Sequence, residues 1–358
     1  PVERSLIDNM MIHRQTLRVL SALILVLLLS PAKSQDIHFT LKNMTPLAFN
    51  PANTGAFYGS YRLSGLYRDQ YRSVIGSAAF MTPTFSVDAP VIRGFKKTDW
   101  VGVGIFFYSD KSGTGGLTQS SFKVSAAYHL ALNKKGTNVL SIAYQTGAIQ
   151  RQVKNPQDLL FEDGLISGGQ SVDLAIVDDM KKGFLDHVGG IRYSSKYNKT
   201  DEFFIGFSAD KFGRPDWSAL KQGGDYRLFP RVFAQAGLSR VMSNKIRFSP
   251  NISFQKVMKT PENTIVLQGL IDYLYSKEKE IVLKGGLGYR SGAGIGDAIQ
   301  VMLGADIKGI NVMLGYDVNV SPLSGASGTV GGFELAAQYI GKIYKRPKPD
   351  PIIFCPRF

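Results

Sequence analysis

Apolar and polar residues alternate along most of the chain. Ile246, Phe248, Ile252 and Phe254 interleave with Arg247, Ser249, Asn251, Ser253 and Gln255. Val312, Leu314, Tyr316 and Val318 interleave with Asn311, Met313, Gly315 and Asp317, and Phe122, Val124 and Ala126 with Lys123 and Ser125. A strand sends successive side chains to opposite faces, so each such run predicts one apolar and one polar face. Fourteen segments follow the rule: 60–68, 74–88, 99–110, 118–132, 138–153, 184–197, 201–212, 228–242, 245–257, 263–276, 280–292, 297–309, 310–322 and 331–344. Those at 74–88 and 184–197 alternate least cleanly. Runs of about ten alternating residues between turn residues are the pattern of a transmembrane β-barrel. The predicted fold is therefore all-β: an antiparallel transmembrane barrel of about 14 strands, spanning 60–344.

The connections agree. With both termini on the periplasmic side, connections after even strands should be short and those after odd strands longer. The even ones include 133–137, 198–200, 243–244 and 277–279; the odd ones include 154–183, 213–227 and 323–330. The even connection 89–98 is the exception. Large residues read as inward-facing, Phe106, Tyr108, Tyr144 and Phe233, predict a lumen that is not simply open.

Residues 11–34 have a different pattern. Arg14 and Arg18 precede the apolar run Val19–Leu29, then Pro31 and the small-x-small site Ala32-Lys33-Ser34 before Gln35. This predicts a secretory signal peptide over 1–34, with residues 1–10 an over-extended start ahead of Met10 and Met11. An exported barrel with lipid-facing strands is expected in an outer membrane, surrounded by outer-membrane lipid. After residue 34 no apolar run approaches the roughly 18–20 residues of a spanning helix.

Composition narrows the chemistry. The net charge is +14, yet the basic residues form no aromatic-laced stripe, which argues against nucleic acid. A single cysteine, Cys355, leaves no disulfide framework and no thiolate cluster, and with four histidines no zinc site is expected. His129 and His187 lie on predicted strands without a nucleophile elbow and read as polar lumen residues. Gly292–Gly296 lacks dinucleotide-loop spacing, and Asp110–Gly115 lacks the bidentate acid of a calcium loop. Asp163, Asp173, Asp178 and Asp179 read as a solvated loop. No catalytic residue, metal site or cofactor is predicted.

Two stretches are more specific. In the entry segment 35–59 and its continuation, Asn50-Pro51-Ala52 predicts a turn. Arg62, Arg68 and Arg72 then alternate with Tyr61, Tyr67 and Tyr71. This mix suits stacked, bidentate contacts with a partner; it equally suits a lumen-lining charge cluster beside an aromatic belt. The tail 345–358, KRPKPDPIIFCPRF, cannot continue a ladder because Pro347, Pro349 and Pro351 lack donors. It either docks on a partner, marks the barrel for insertion, or frays. Candidate partner-binding residues are thus Asn50, Pro51, Arg62, Tyr67, Arg68, Tyr71 and Arg72, with Lys345, Arg346, Phe354, Cys355 and Phe358 in the tail.

These stretches carry a family resemblance. The pattern P-x-x-x-N-P-A-x-x-G (Pro46, Asn50, Pro51, Ala52, Gly55), followed by Tyr67-Arg68-x-Gln70-Tyr71-Arg72, resembles the PorP/SprF family. A later block, Pro83, Thr84, Ser86, Asp88 and Pro90, is similar to that family's, except that Thr84 follows Pro83 directly. The ending Cys355–Phe358 is similar as well. The resemblance implies a non-enzymatic outer-membrane barrel of the type IX secretion and gliding machinery. Its implied role is to help export or anchor a surface protein, such as an adhesin, with a type B C-terminal domain. It implies a periplasmic peptidoglycan-binding lipoprotein, or another component of the system, as partner. A transport channel for small or apolar molecules, with the N-terminal segment folded inside as a hatch, is the alternative.

Overall fold

The computed structural model describes residues 38–343 apart from 94–95, 97, 114, 155–180, 199, 216–226, 262, 293–294 and 323. The segment 1–34 expected to be a signal peptide, the tail 345–358 and the loop aspartates Asp163, Asp173, Asp178 and Asp179 lie outside them.

Fourteen antiparallel strands close on themselves: β1 Tyr61–Gln70, β2 Phe80–Arg93, β3 Trp100–Ser112, β4 Leu117–Ala131, β5 Asn138–Val153, β6 Lys181–Lys196 and β7 Glu202–Asp210, then β8 Arg231–Val241, β9 Ile246–Val257, β10 Asn263–Ser276, β11 Ile281–Gly292, β12 Ile295–Ile307, β13 Ile310–Asn319 and β14 Gly332–Gly341. Each strand pairs with its neighbours in sequence, and β1 meets β14 from Tyr61↔Gly341 to Gln70↔Gly332. Closure removes the two free edges, so backbone donors and acceptors are paired around the ring.

The faces follow the alternation. On β4, Phe122 and Val124 are exposed while Lys123, Ser125 and His129 are buried; on β9, Ile252 and Phe254 point out while Ser253 and Gln255 point in. Exposed large apolar residues recur on the outer face right round the barrel, far beyond the few hundred Å² of apolar patch that a water-facing surface tolerates. That face suits hydrocarbon. Among the described residues no helix is long and apolar enough to cross a membrane.

Several expectations need correction. The strand expected at 74–88 is β2, from Phe80 to Arg93. Val74 and Ile75 belong instead to a helical turn, Arg72–Ile75, entered through Tyr71 at a positive φ of 63°. β2 also runs past Pro83 and Pro90. Neither proline has an N–H to give, and the β2–β3 ladder omits Pro83 and shifts register after Pro90. The long even connection 89–98 therefore shrinks to 94–99, and every even connection is short. The tightest, Lys308-Gly309, has φ of 52° and 84°, the two-residue turn whose twist matches a hairpin. Tyr144 and His187 face outward rather than into the lumen; the Tyr144 hydroxyl lies 2.7 Å from His187 Nδ1. Phe106, Tyr108 and Phe233 face inward and are buried, as expected.

Candidate functional site: the segment inside the barrel

Residues 39–60 do not wrap the barrel but run through it. Three 3-10 turns, Lys42–Met44, Pro46–Ala48 and Pro51–Asn53, fold the segment compactly. The side chains of Leu41, Met44 and Leu47 are fully buried in the lumen. Polar groups of the segment bond to inward residues of opposite walls, so the segment is held at three levels.

The first level lies near the odd-loop end. The Thr40 and Leu41 N–H groups donate to the two carboxylate oxygens of Glu334 on β14, each at 2.8 Å. The Thr40 hydroxyl donates to Asp317 on β13, and its carbonyl accepts from Gln268 Nε2 at 2.7 Å. Buried carboxylates are costly without cations, and the wall supplies them. Arg68 on β1 pairs with both Glu334 and Asp317, and Arg290 on β11 pairs with Asp317 at 2.7 Å and with Asp297. Every polar group of Thr40 is thereby satisfied in the interior.

The second level is the Asn50-Pro51-Ala52 turn. Asn50 Oδ1 accepts from the Ala52 N–H at 2.9 Å and caps Pro51–Asn53, with proline at the first helical position where no donor is needed. Its Nδ2 donates to the Ile191 carbonyl on β6 at 3.0 Å and reaches the Phe207 carbonyl on β7 at 3.4 Å. This approach requires Gly190, where a Cβ would lie 2.3 Å from Asn50 Oδ1 and 2.9 Å from Pro51 Cδ. Phe49 packs on Phe233 of β8 with centroids 5.1 Å apart.

The third level closes the even-turn end. Arg62 holds Asp88 of β2 with two hydrogen bonds, 2.9 and 2.8 Å, donates to the Asn53 carbonyl at 3.0 Å and stacks over the Phe57 ring. Asp88 also accepts from the Gly55 N–H at 2.7 Å. His129 Nε2 is 2.8 Å from the Thr54 carbonyl, which can only accept, so Nε2 carries the proton and Nδ1 accepts from Ser141 at 2.7 Å. Trp100 stacks on His129 and donates to the Gly55 carbonyl at 3.0 Å.

The arginines and tyrosines of the entry motif part company. Arg62 and Arg68 face inward and are buried in ion pairs with the wall; Tyr61 and Tyr67 sit on the outer face of the same strand. Arg72 is about half exposed and pairs with Asp69. Asn50 and Pro51 are interior. The candidates Lys345, Arg346, Phe354, Cys355 and Phe358 lie outside the described residues. The sequence reading overlooked Thr40, Gln268, Arg290, Asp317 and Glu334. For Arg290, Asp317 and Glu334 the signal was available: ionisable residues at inward positions of membrane strands are functional candidates by default. Among the described residues no group of three or more His, Cys, Asp or Glu side chains is arranged to hold a metal ion.

The profile of the family described as type IX secretion system membrane protein PorP/SprF matches residues 32–339, which include the entire inner segment and almost all of the barrel. The chain belongs to the PorP/SprF family. A search of curated proteins found no match. Among solved structures, this PorP/SprF barrel is similar to a deltaS2 mutant of the TodX monoaromatic hydrocarbon channel, at TM-score 0.50 and 10% identity, over 84% of this chain and 94% of that one. The toluene transporters TbuX of Ralstonia pickettii (TM-score 0.48, 11% identity, 83% and 94% covered) and TodX of Pseudomonas putida (0.48, 10%, 85% and 93%) are similar too. At these identities the likeness concerns the fold alone, a secretion-family barrel shaped like outer-membrane channels.

Proposed function

We propose that this PorP/SprF barrel resides in an outer membrane and serves the type IX secretion and gliding machinery as a non-enzymatic component. There it helps export or anchor a surface protein with a type B C-terminal domain. The observation that carries this reading is the segment 39–60 seated in the lumen of a barrel of this family. A lumen occupied by the chain's own buried residues suits a platform better than a conduit. The periplasmic partner would be a peptidoglycan-binding lipoprotein or another component of the system. The tail residues Lys345, Arg346, Phe354, Cys355 and Phe358 are available to meet it, and Tyr67, Tyr71 and Arg72 to meet cargo at the odd-loop end.

The test is export in cells. Loss of this chain should leave its cargo inside the cell, and re-expression should restore surface display. A chain lacking 347–358 should still insert and run faster unboiled than boiled, yet lose the periplasmic partner in pull-downs and fail to export cargo. Normal display without the chain contradicts the proposal. The second reading is a channel with the segment as hatch, favoured by the fold shared with a protein described as a monoaromatic hydrocarbon channel. Uptake of a monoaromatic hydrocarbon that depends on this chain would support it.

A further inference from the structure

The short-turn rim of the barrel is lined with lysines. Each short-turn connection, or the strand end beside it, presents an exposed lysine: Lys96, Lys134, Lys196, Lys245, Lys277 and Lys308, with Lys342 after β14. Acidic residues balance them only in part: Glu278 and Glu280 are exposed in the turn of Lys277 and Lys279, and Asp306 lies beside Lys308. Asp99 is buried and accepts from the Ala131 N–H and the Tyr128 hydroxyl at 2.9 Å each. Asp201 is buried and accepts from Asn198 Nδ2 at 3.0 Å. Among the described residues, the one ion pair of a rim lysine is Lys196 with Glu202, at 3.9 Å. The connections at the other end are mixed in charge: the sequence of 154–180 holds six acidic residues against Lys154, whereas 211–230 holds Lys211, Arg214, Lys221 and Arg227 against Asp216 and Asp225.

A second feature fixes the level of the lysines. Just inside them on the outer face lies a belt of tyrosines at the strand ends. Tyr61 packs edge-on against Tyr339, with centroids 6.0 Å apart, Tyr193 and Tyr197 flank Phe203, and Tyr275 projects from β10. Tyrosine rings settle at the headgroup boundary of a bilayer. The lysines one step beyond them reach the height of lipid phosphates, where long flexible ammonium side chains are at home.

We propose that the lysine ring of the short-turn rim selects anionic phospholipid headgroups from the adjoining leaflet. The alternative partner for a basic surface is an acidic protein, but such a protein needs a patch. Here the lysines are distributed one connection after another around the circumference, which matches an annulus of lipids. The proposal rests on the barrel's residence in a membrane, which fractionation of the chain with the outer membrane tests separately.

The experiment reconstitutes the full chain in bilayers of equimolar phosphatidylcholine and phosphatidylglycerol, extracts it in mild detergent and counts retained lipids by native mass spectrometry. Phosphatidylglycerol should exceed phosphatidylcholine about five-fold at low salt, the preference of one lysine–headgroup contact near a membrane surface, and the excess should shrink with salt. Replacing Lys96, Lys134, Lys196, Lys245, Lys277, Lys308 and Lys342, with Lys135 and Lys279 beside them, by Gln should bring the ratio near one. The same positions as Arg should keep it, and heat-modifiability reports that each variant is folded. Glycerophosphoglycerol, the headgroup without acyl chains, should not displace the lipid. Equal retention by the wild type, an unchanged ratio in the Gln variant, or displacement by the free headgroup would each overturn the proposal. Loss of an acidic protein partner with lipid preference intact would reassign the ring to that partner.

Discussion

Asp88→Ala isolates the anchor at the even-turn end of the inner segment. In the wild type the Asp88 side chain is fully buried and that of Arg62 is 8% exposed, and two hydrogen bonds of 2.9 and 2.8 Å join them. Removing one member of a buried pair leaves the other charge without its partner, at a cost of about 3–5 kcal/mol. The Gly55 N–H loses its acceptor at the same time, which alone costs about 1–3 kcal/mol. The two losses share one carboxylate and do not add. Arg62 keeps the Asn53 carbonyl and the Phe57 ring, so the lower half of the range, about 3–4 kcal/mol, is expected. Denaturant unfolding of the barrel in vesicles measures the loss. The double variant Arg62→Met/Asp88→Leu removes both charges and should be less destabilised than Asp88→Ala. A single variant within about 0.5 kcal/mol of wild type, where neutral surface substitutions fall, would refute the anchor. So would a double variant worse than both singles combined.

Three further outcomes follow from the same contacts. Gly190→Leu places a side chain where Asn50 and Pro51 sit; residues 39–60 should become accessible to protease while the barrel remains heat-modifiable, and unchanged protection would contradict the seating. Glu334→Gln leaves one of the Thr40 and Leu41 N–H groups without an acceptor and deprives Arg68 of a charge; the expected loss is about 1.5–3 kcal/mol by unfolding in vesicles. Arg72→Ala removes a half-exposed pair with Asp69; stability should move by less than about 1 kcal/mol, and a larger loss would show that the odd-loop turn depends on it.

The strands were legible because a membrane barrel writes its two faces into the sequence with period two, and thirteen of the fourteen runs align with strands to within three residues. The errors have physical causes. The predicted segment 74–88 ran through Pro83 but ended before Pro90, whereas β2 continues past both prolines, with a rung omitted at the first and a register shift at the second. Tyr144 was assigned inward because bulk suggested lumen filling, whereas tyrosine is equally suited to the outer face. The Asn50-Pro51-Ala52 turn was readable from local chemistry, but its seat between Gly190 and Gly206 was not, since ring closure sets it. The same holds for Thr40, whose partners Glu334 and Asp317 lie 294 and 277 residues away along the chain.

The central claim, a barrel occupied by its own N-terminal segment and working as a secretion component rather than a pore, is tested most directly by planar-bilayer recording. Wild-type protein should show no steady conductance, while Gly190→Leu or a chain lacking 39–59 should open measurable steps. Large, stable open steps from the wild type would contradict the account and favour a channel.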